Sequence, residues 1–233
     1  MLGCLARPRD LSRYPALALA RLRRMTSTVF LLSPAYCAGR RAKILMKPGS
    51  TLAIAERLQA GTLTLGEAFT FCSGLYFRGK ITYARTFAPD ATLVITPTRG
   101  LQPPDVLVTA GLIREFAGVD IASDDNRYRR PLERDLRALA KRLPSGARVV
   151  LLGSVATGKY VDVLVRSLGP RLHFPPSFVG RGDMSRGGLL LRQAASGVEL
   201  EYAVLEPTAT RRGPRPPKLD PRTRVSIVAS VSR

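Results

Sequence analysis

Arg148-Val149-Val150-Leu151-Leu152-Gly153-Ser154-Val155-Ala156-Thr157-Gly158-Lys159-Tyr160 is the stretch on which the fold turns. An apolar run without polar alternation reads as a strand buried on both faces, and the residues from 157 to 168 carry the apolar spacing of a helix. Between them lies a glycine-bearing turn. Glycines in such a turn let backbone N–H groups approach an anion, and the helix that follows adds the positive end of its dipole. The spelling is close to a phosphate-binding loop, but Tyr160 stands where that loop needs a Ser or Thr hydroxyl to hold magnesium. Gly153, Ser154, Thr157, Gly158 and Lys159 are therefore candidates for binding phosphate without a metal.

The same alternation continues on both sides. Residues 29–33 read as a first strand, 51–60, 65–72 and 80–87 as helices, and 92–96 as a second strand ended by Pro97. Thr109 can cap a helix over 109–116. In 130–143, Leu132, Leu136, Leu139 and Leu143 form one stripe, with Glu133, Arg134, Asp135 and Arg137 off it, and Pro144 and Gly146 stop the helix. Residues 171–174 and 198–205 read as the fourth and fifth strands. Strands separated by helices predict a single α/β domain whose mostly parallel sheet of about five strands is covered on both faces.

Domain limits follow from composition. Of the formal net charge of +20, residues 1–24 carry +5 and residues 211–233 carry +6, leaving +9 for the domain expected over 25–210. The first segment is Arg-rich with a single acid, like a transit peptide, yet Met25 directly precedes the first strand region, so 1–24 reads as a dispensable extension. The last is a basic Pro/Arg-rich tail expected to be disordered, with 225–231 a weak strand candidate. No run approaches the roughly 18 apolar residues of a membrane span, and a cytoplasmic protein is expected. Cys4, Cys37 and Cys72 have neither even number nor zinc spacing, and His173 is the sole histidine, which together exclude a disulfide framework and a multi-histidine metal site. Neither cofactor nor oligomeric state is readable.

In an open parallel sheet, ligands bind beyond the carboxyl ends of the strands. That rule gathers four loops, each with a basic residue: 33–41 with Tyr36 and Arg40, 97–100 with Arg99, 153–159 with Lys159, and 175–188. The last spends four glycines on residues 178–188, which costs conformational entropy unless the backbone must come close to something. Arg181, Ser185 and Arg186 are candidates for gripping phosphate, and Asp183 between the arginines is a candidate to orient a water or a proton. Residues 71–80 mix aromatics with cations and read either as core anchors or as a base-stacking surface.

The order of landmarks has a parallel. The Cys-containing loop after the first strand, Leu75-Tyr76-Phe77-Arg78-Gly79-Lys80, then Gly100-Leu101 and Pro104-Asp105, then Gly153 and Tyr160, resembles a family of small uncharacterised bacterial α/β proteins. That resemblance, over about residues 29–165, implies an α/β fold and no particular chemistry. Leu151-Leu152-Gly153-Ser154 with His173-Phe174-Pro175-Pro176-Ser177 also resembles the uracil-DNA glycosylase superfamily, whose His-Pro-Ser loop works against DNA; here Phe174 separates the histidine from the prolines. The leading expectation is an enzyme, a hydrolase or transferase, acting on a nucleotide or nucleic acid. A non-catalytic nucleic-acid-binding module is the alternative, and a degenerate P-loop nucleotide-binding protein the third.

Overall fold

The computed structural model describes residues 27–121, 124–156, 158–209 and 212–217; the extension over 1–24, the strand candidate over 225–231 and Thr157 lie outside them. In chain order the elements are β1 (Thr28–Leu32), α1 (Arg40–Leu45), α2 (Ala53–Gln59), α3 (Leu65–Ser73), α4 (Leu75–Phe87), β2 (Thr92–Ile95), β3 (Leu101–Gln102), α5 (Ala110–Ala117), α6 (Asn126–Arg142), β4 (Arg148–Leu152), α7 (Gly158–Leu168), β5 (Leu172–Phe174), α8 (Asp183–Ser196) and β6 (Ala203–Val204).

The fold is α/β. β1 pairs in parallel with β2 on one side and β4 on the other, and β4 pairs in parallel with β5. Two-residue antiparallel strands close both edges, giving the order β3-β2-β1-β4-β5-β6. Every residue of β1 and β2, and all of β4 except Arg148, is buried. Successive side chains of a strand point to opposite faces, so complete burial means that both faces are covered. After β1 the chain builds outward to β2 and β3, then returns to lay β4 on β1's other side. The β1–β4 boundary is the switch point of the sheet, where an open α/β sheet leaves a crevice.

Several elements differ from expectation for visible reasons. β3 was not foreseen, because two residues carry no periodicity. It is secured by Asp135, which is buried, not off the core stripe, and whose Oδ2 accepts from Leu101 N at 3.0 Å while Oδ1 accepts from Arg134. Gly100, at φ +62°, makes the turn before β3 and lies against that carboxylate, leaving no room for a Cβ. Helix α6 begins a turn earlier than its leucine stripe, because Asp125 caps it by accepting from Arg127 N. Of residues 198–205 only Ala203 and Val204 form a strand.

The largest departure is α8. The glycine-rich stretch expected to be a loop from 175 to 188 becomes helical at Asp183, and α8 makes the most extensive helix–helix contact of the fold, with α4. Gly79 and Gly187 meet at the crossing: a Cβ on Gly79 would lie 2.6 Å from Gly187 O, and one on Gly187 would lie 2.7 Å from Leu75 O. The glycines do admit a close backbone approach, but the partner at Gly187 is another helix. Part of the basic tail also has a place. Over 212–217 it has no regular structure, yet Arg212 Nε donates to Ala156 O at 3.3 Å and Pro214 packs on Gly180.

Helix α3 shows how local chemistry fixes an element end. Thr64 Oγ1 accepts from Glu67 N while the Glu67 carboxylate accepts from Thr64 N, a complete capping box, and Arg57 clamps the same carboxylate at 2.6 and 2.8 Å. The Arg57 hydrogen bond is the main reason Glu67 is held down to about 2. Thr64→Ala is expected to lower stability by about 1 kcal/mol, read as a shift of the urea midpoint at unchanged slope.

Candidate functional site

A cleft of about 1000 Å³ opens at the switch point. The β1–α1 loop and the start of α1, from Ser33 through Arg41, form one wall; Cys72, Ser73 and Tyr76 from the α3–α4 corner, Pro97 after β2, residues 116–121 at the end of α5 and beyond it, Ser154, Lys159 and Tyr160 around the start of α7, and Asp183 of α8 complete it. A hollow of about 700 Å³ at the opposite end of the sheet offers less, because the one cation among its described lining residues, Arg148, is already shared between Thr28 and Glu199.

Of the residues singled out from sequence, the cleft brings together Tyr36, Arg40, Ser154, Lys159 and Asp183. Tyr36 is 75% exposed at the mouth. Arg40 and Lys159 are exposed and have neither ion-pair nor hydrogen-bond partner among the described residues. Lys159 sits in the first turn of α7, where the helix dipole disfavours a cation, so helix stability does not explain it.

The other candidates are elsewhere or occupied. Arg99 is paired with Glu115 at 2.6 Å, outside the cleft wall. Arg181 folds back on its own segment, donating to Ser177 O and to Ser185 Oγ, which accounts for both Arg181 and Ser185. Arg186 is 6% exposed. Its Nε donates to Phe178 O and its Nη1 to Asp183 Oδ1, both at 3.2 Å, with the guanidinium about 6 Å from the ring centres of Tyr76 and Phe178. It positions Asp183 instead of offering a free fork to solvent. Gly153 is explained by packing, since a Cβ there would come 2.8 Å from both Ser33 Cβ and Tyr160 Oη. Gly158 does not line the cleft, and His173 lies inside β5 with Nδ1 3.0 Å from Arg171 O.

Four residues were not among the site candidates read from sequence: Ser33, Tyr76 and Tyr160, which line the cleft, and Lys80, which is buried behind Ser33. Lys80 is 1% exposed and donates to Ser33 O at 2.7 Å and to Ser33 Oγ at 2.9 Å, its Nζ lying 4.5 Å from the Tyr76 ring centre and 4.7 Å from that of Phe77. Burial pulls its ammonium down to about 7, with Asp183 opposing and Arg186 reinforcing the shift. Tyr160 Oη donates to Ser154 O at 2.9 Å, and burial pushes this phenol up to about 12. Tyr76 Oη is buried with no hydrogen bond of ordinary length. Beside them, Cys72 is held below the ordinary thiol range by the Cys37 thiol and by Arg41. Among the described residues no cluster of three or more His, Cys, Asp or Glu could hold a metal, and no helix is long and apolar enough to cross a membrane.

Fold and site together define an α/β protein with an open, cation-rimmed crevice at its switch point. Comparison with protein families, with curated proteins and with solved structures gives no match, so the functional reading rests on this geometry.

Proposed function

We propose that the cleft binds a phosphate-bearing ligand, a nucleotide or a nucleic-acid strand, and that the protein is a hydrolase or transferase acting on it. The observation that carries this is unsatisfied polarity in one place. Among the described residues Arg40 and Lys159 stand unpartnered at the rim, and the buried Tyr76 hydroxyl in the wall, on which Arg186 acts, has no hydrogen bond of the ordinary length that such groups nearly always have. A phosphate oxygen supplies what all three lack, and exposed Tyr36 offers a ring on which a base can stack.

Asp183 is the group that turns binding into chemistry. Its Oδ1 is held by Arg186, its side chain is 68% exposed, and its Oδ2 is left to accept from a water beside the ligand. A carboxylate so placed orients a nucleophilic water. Tyr76→Phe distinguishes this reading from a structural one. It deletes an unpaired buried hydroxyl, so stability should hold or rise slightly, while affinity for a fluorescent single-stranded oligonucleotide or for ATP should fall by about 1–2 kcal/mol. Arg40→Ala and Lys159→Ala in the full chain should each weaken the same binding and reduce its salt slope by about one. Asp183→Asn should retain binding and lose turnover. Equal affinity and salt slope in all of these variants would remove the ligand from the cleft.

A further inference from the structure

Ser33 is the first residue past β1 and lines the cleft together with Tyr160 and Asp183. Its Oγ lies 2.9 Å from Lys80 Nζ, the nitrogen of a side chain that is fully enclosed and has no carboxylate within ion-pairing distance among the described residues. A buried lysine without a counter-ion is costly as a structural device, because desolvation penalises the charge and only neutral partners answer it. The surrounding groups suit both protonation states. As an ammonium, Lys80 donates to Ser33 O and Ser33 Oγ and faces the Tyr76 and Phe77 rings. As a neutral amine it keeps the donation to Ser33 O and takes the Ser33 Oγ–H on its lone pair. Tyr160, whose own proton goes to Ser154 O, is the other hydrogen-bond neighbour of Ser33 and can only accept from it, so Lys80 is the donor that remains to the serine oxygen as its proton leaves.

We propose that Ser33 and Lys80 are a nucleophile–base pair, in which Ser33 Oγ attacks the phosphorus of a phosphate ester held in the cleft and Lys80 Nζ takes the serine proton. This rests on the cleft being a phosphate site. In the first step the Oγ–P bond forms, the bond from phosphorus to the ester oxygen breaks, and the departing oxygen is protonated from solvent at the open mouth. Lys80 is then an ammonium and Ser33 a phosphoserine. In the second step water oriented by Asp183 attacks phosphorus, the Oγ–P bond breaks, Lys80 returns its proton to Oγ, and the water proton leaves through Asp183 to solvent. No oxidant, reductant or metal is needed to balance either step. The affinity of Lys80 for its proton, near 7, leaves a substantial neutral fraction at neutral pH.

The test is covalent labelling of the full chain with an alkyl fluorophosphonate, a phosphorus electrophile that captures activated serines. One equivalent should add at Ser33, located by peptide mass, at a rate that rises with pH through about 7. Ser33→Ala, a small change, should fold and take no label. Lys80→Met should slow labelling by about 100-fold or more, the usual scale of general-base assistance, and Lys80→Arg, which stays protonated, should not restore it. A merely structural Lys80 would move stability without moving the pH profile of labelling. No label in the wild type, or label persisting in folded Ser33→Ala, overturns the pair even if oligonucleotide binding in the cleft holds. Label at Ser33 with no oligonucleotide or ATP binding leaves the pair standing and overturns the choice of ligand.

Discussion

Gly187→Ala is expected to destabilise the protein by about 1–2 kcal/mol, and Gly187→Val by more, although alanine in a helix interior ordinarily gains about 1 kcal/mol over glycine. The sign is decided by what the new methyl meets. At Gly187 it would lie 2.7 Å from Leu75 O and 2.9 Å from both Leu75 C and Tyr76 Cα, all backbone atoms of α4 that cannot swing aside. Relief requires the two helices to separate, and overpacking of this kind costs about 1–3 kcal/mol, which outweighs the propensity gain. Gly79→Ala meets the same obstacle from the other side, at 2.6 Å from Gly187 O, so the double variant should not compensate. Gly182, the residue before α8, is the control: nothing lies within 4 Å of its Cβ position and its φ is −79°, so Gly182→Ser should be neutral or stabilising as a helix cap. Urea melts of the five variants check this, and a Gly187→Ala protein at least as stable as the wild type would sink it. Loss at Gly187 should also impair the cleft, because α4 carries Tyr76 and Lys80 while α8 carries Asp183 and Arg186.

This crossing also shows where reading the sequence succeeds and where it stops. β1, β2 and β4 were legible because a strand buried on both faces must be apolar at every position, and the rule for open sheets then placed Tyr36, Arg40, Ser154, Lys159 and Asp183 at one edge. α8 was not legible, since Gly187, Gly188 and Ser185 lower helix propensity in its first two turns, and the justification for Gly187 lies more than a hundred residues away on α4. Arg186 looked like a free phosphate ligand for the same reason: nothing local to it announces Phe178 and Tyr76 as its neighbours. Ser33 carries no signal of its own, being separated from Lys80 by 47 positions. Lys80 did carry one. It falls at i+4 in the stripe Tyr76, Lys80, Tyr83, which is the buried face of α4, and a lysine on a core stripe is rare enough to mark a site.

Stability should rise with pH from about 7 to about 8.5, by about 1.5–2 kcal/mol, and Lys80 should be the main source. The sign follows from proton counts. Unfolded, Lys80 holds its proton up to about 10.4, whereas in the fold burial lowers it to about 7. Between those values the unfolded chain binds the extra proton, so raising pH favours the native state by up to about 1.4 kcal/mol per unit; below 7 both states are protonated and the contribution is flat. The groups facing Nζ are Ser33 just past β1, Tyr76 and Phe77 of its own helix, and Asp183 and Arg186 of α8. Two other effects bound the window. Cys72, lowered by Cys37 and Arg41, tilts stability the same way, so the comparison belongs in a Cys72→Ser background. Tyr76 and Tyr128, both raised chiefly by burial, reverse the trend at higher pH, since the unfolded chain gives up those protons first. In that background Lys80→Met should flatten the profile between pH 7 and 8.5, and at pH 7 it should be about as stable as its parent, because the lost hydrogen bonds to Ser33 are offset by removal of a buried cation. Chemical-denaturant melts at half-unit pH steps measure both slopes. Parallel slopes with and without Lys80 would mean that its ammonium remains charged in the fold across this range, and the amine that Ser33 needs as its base would then be absent at neutral pH.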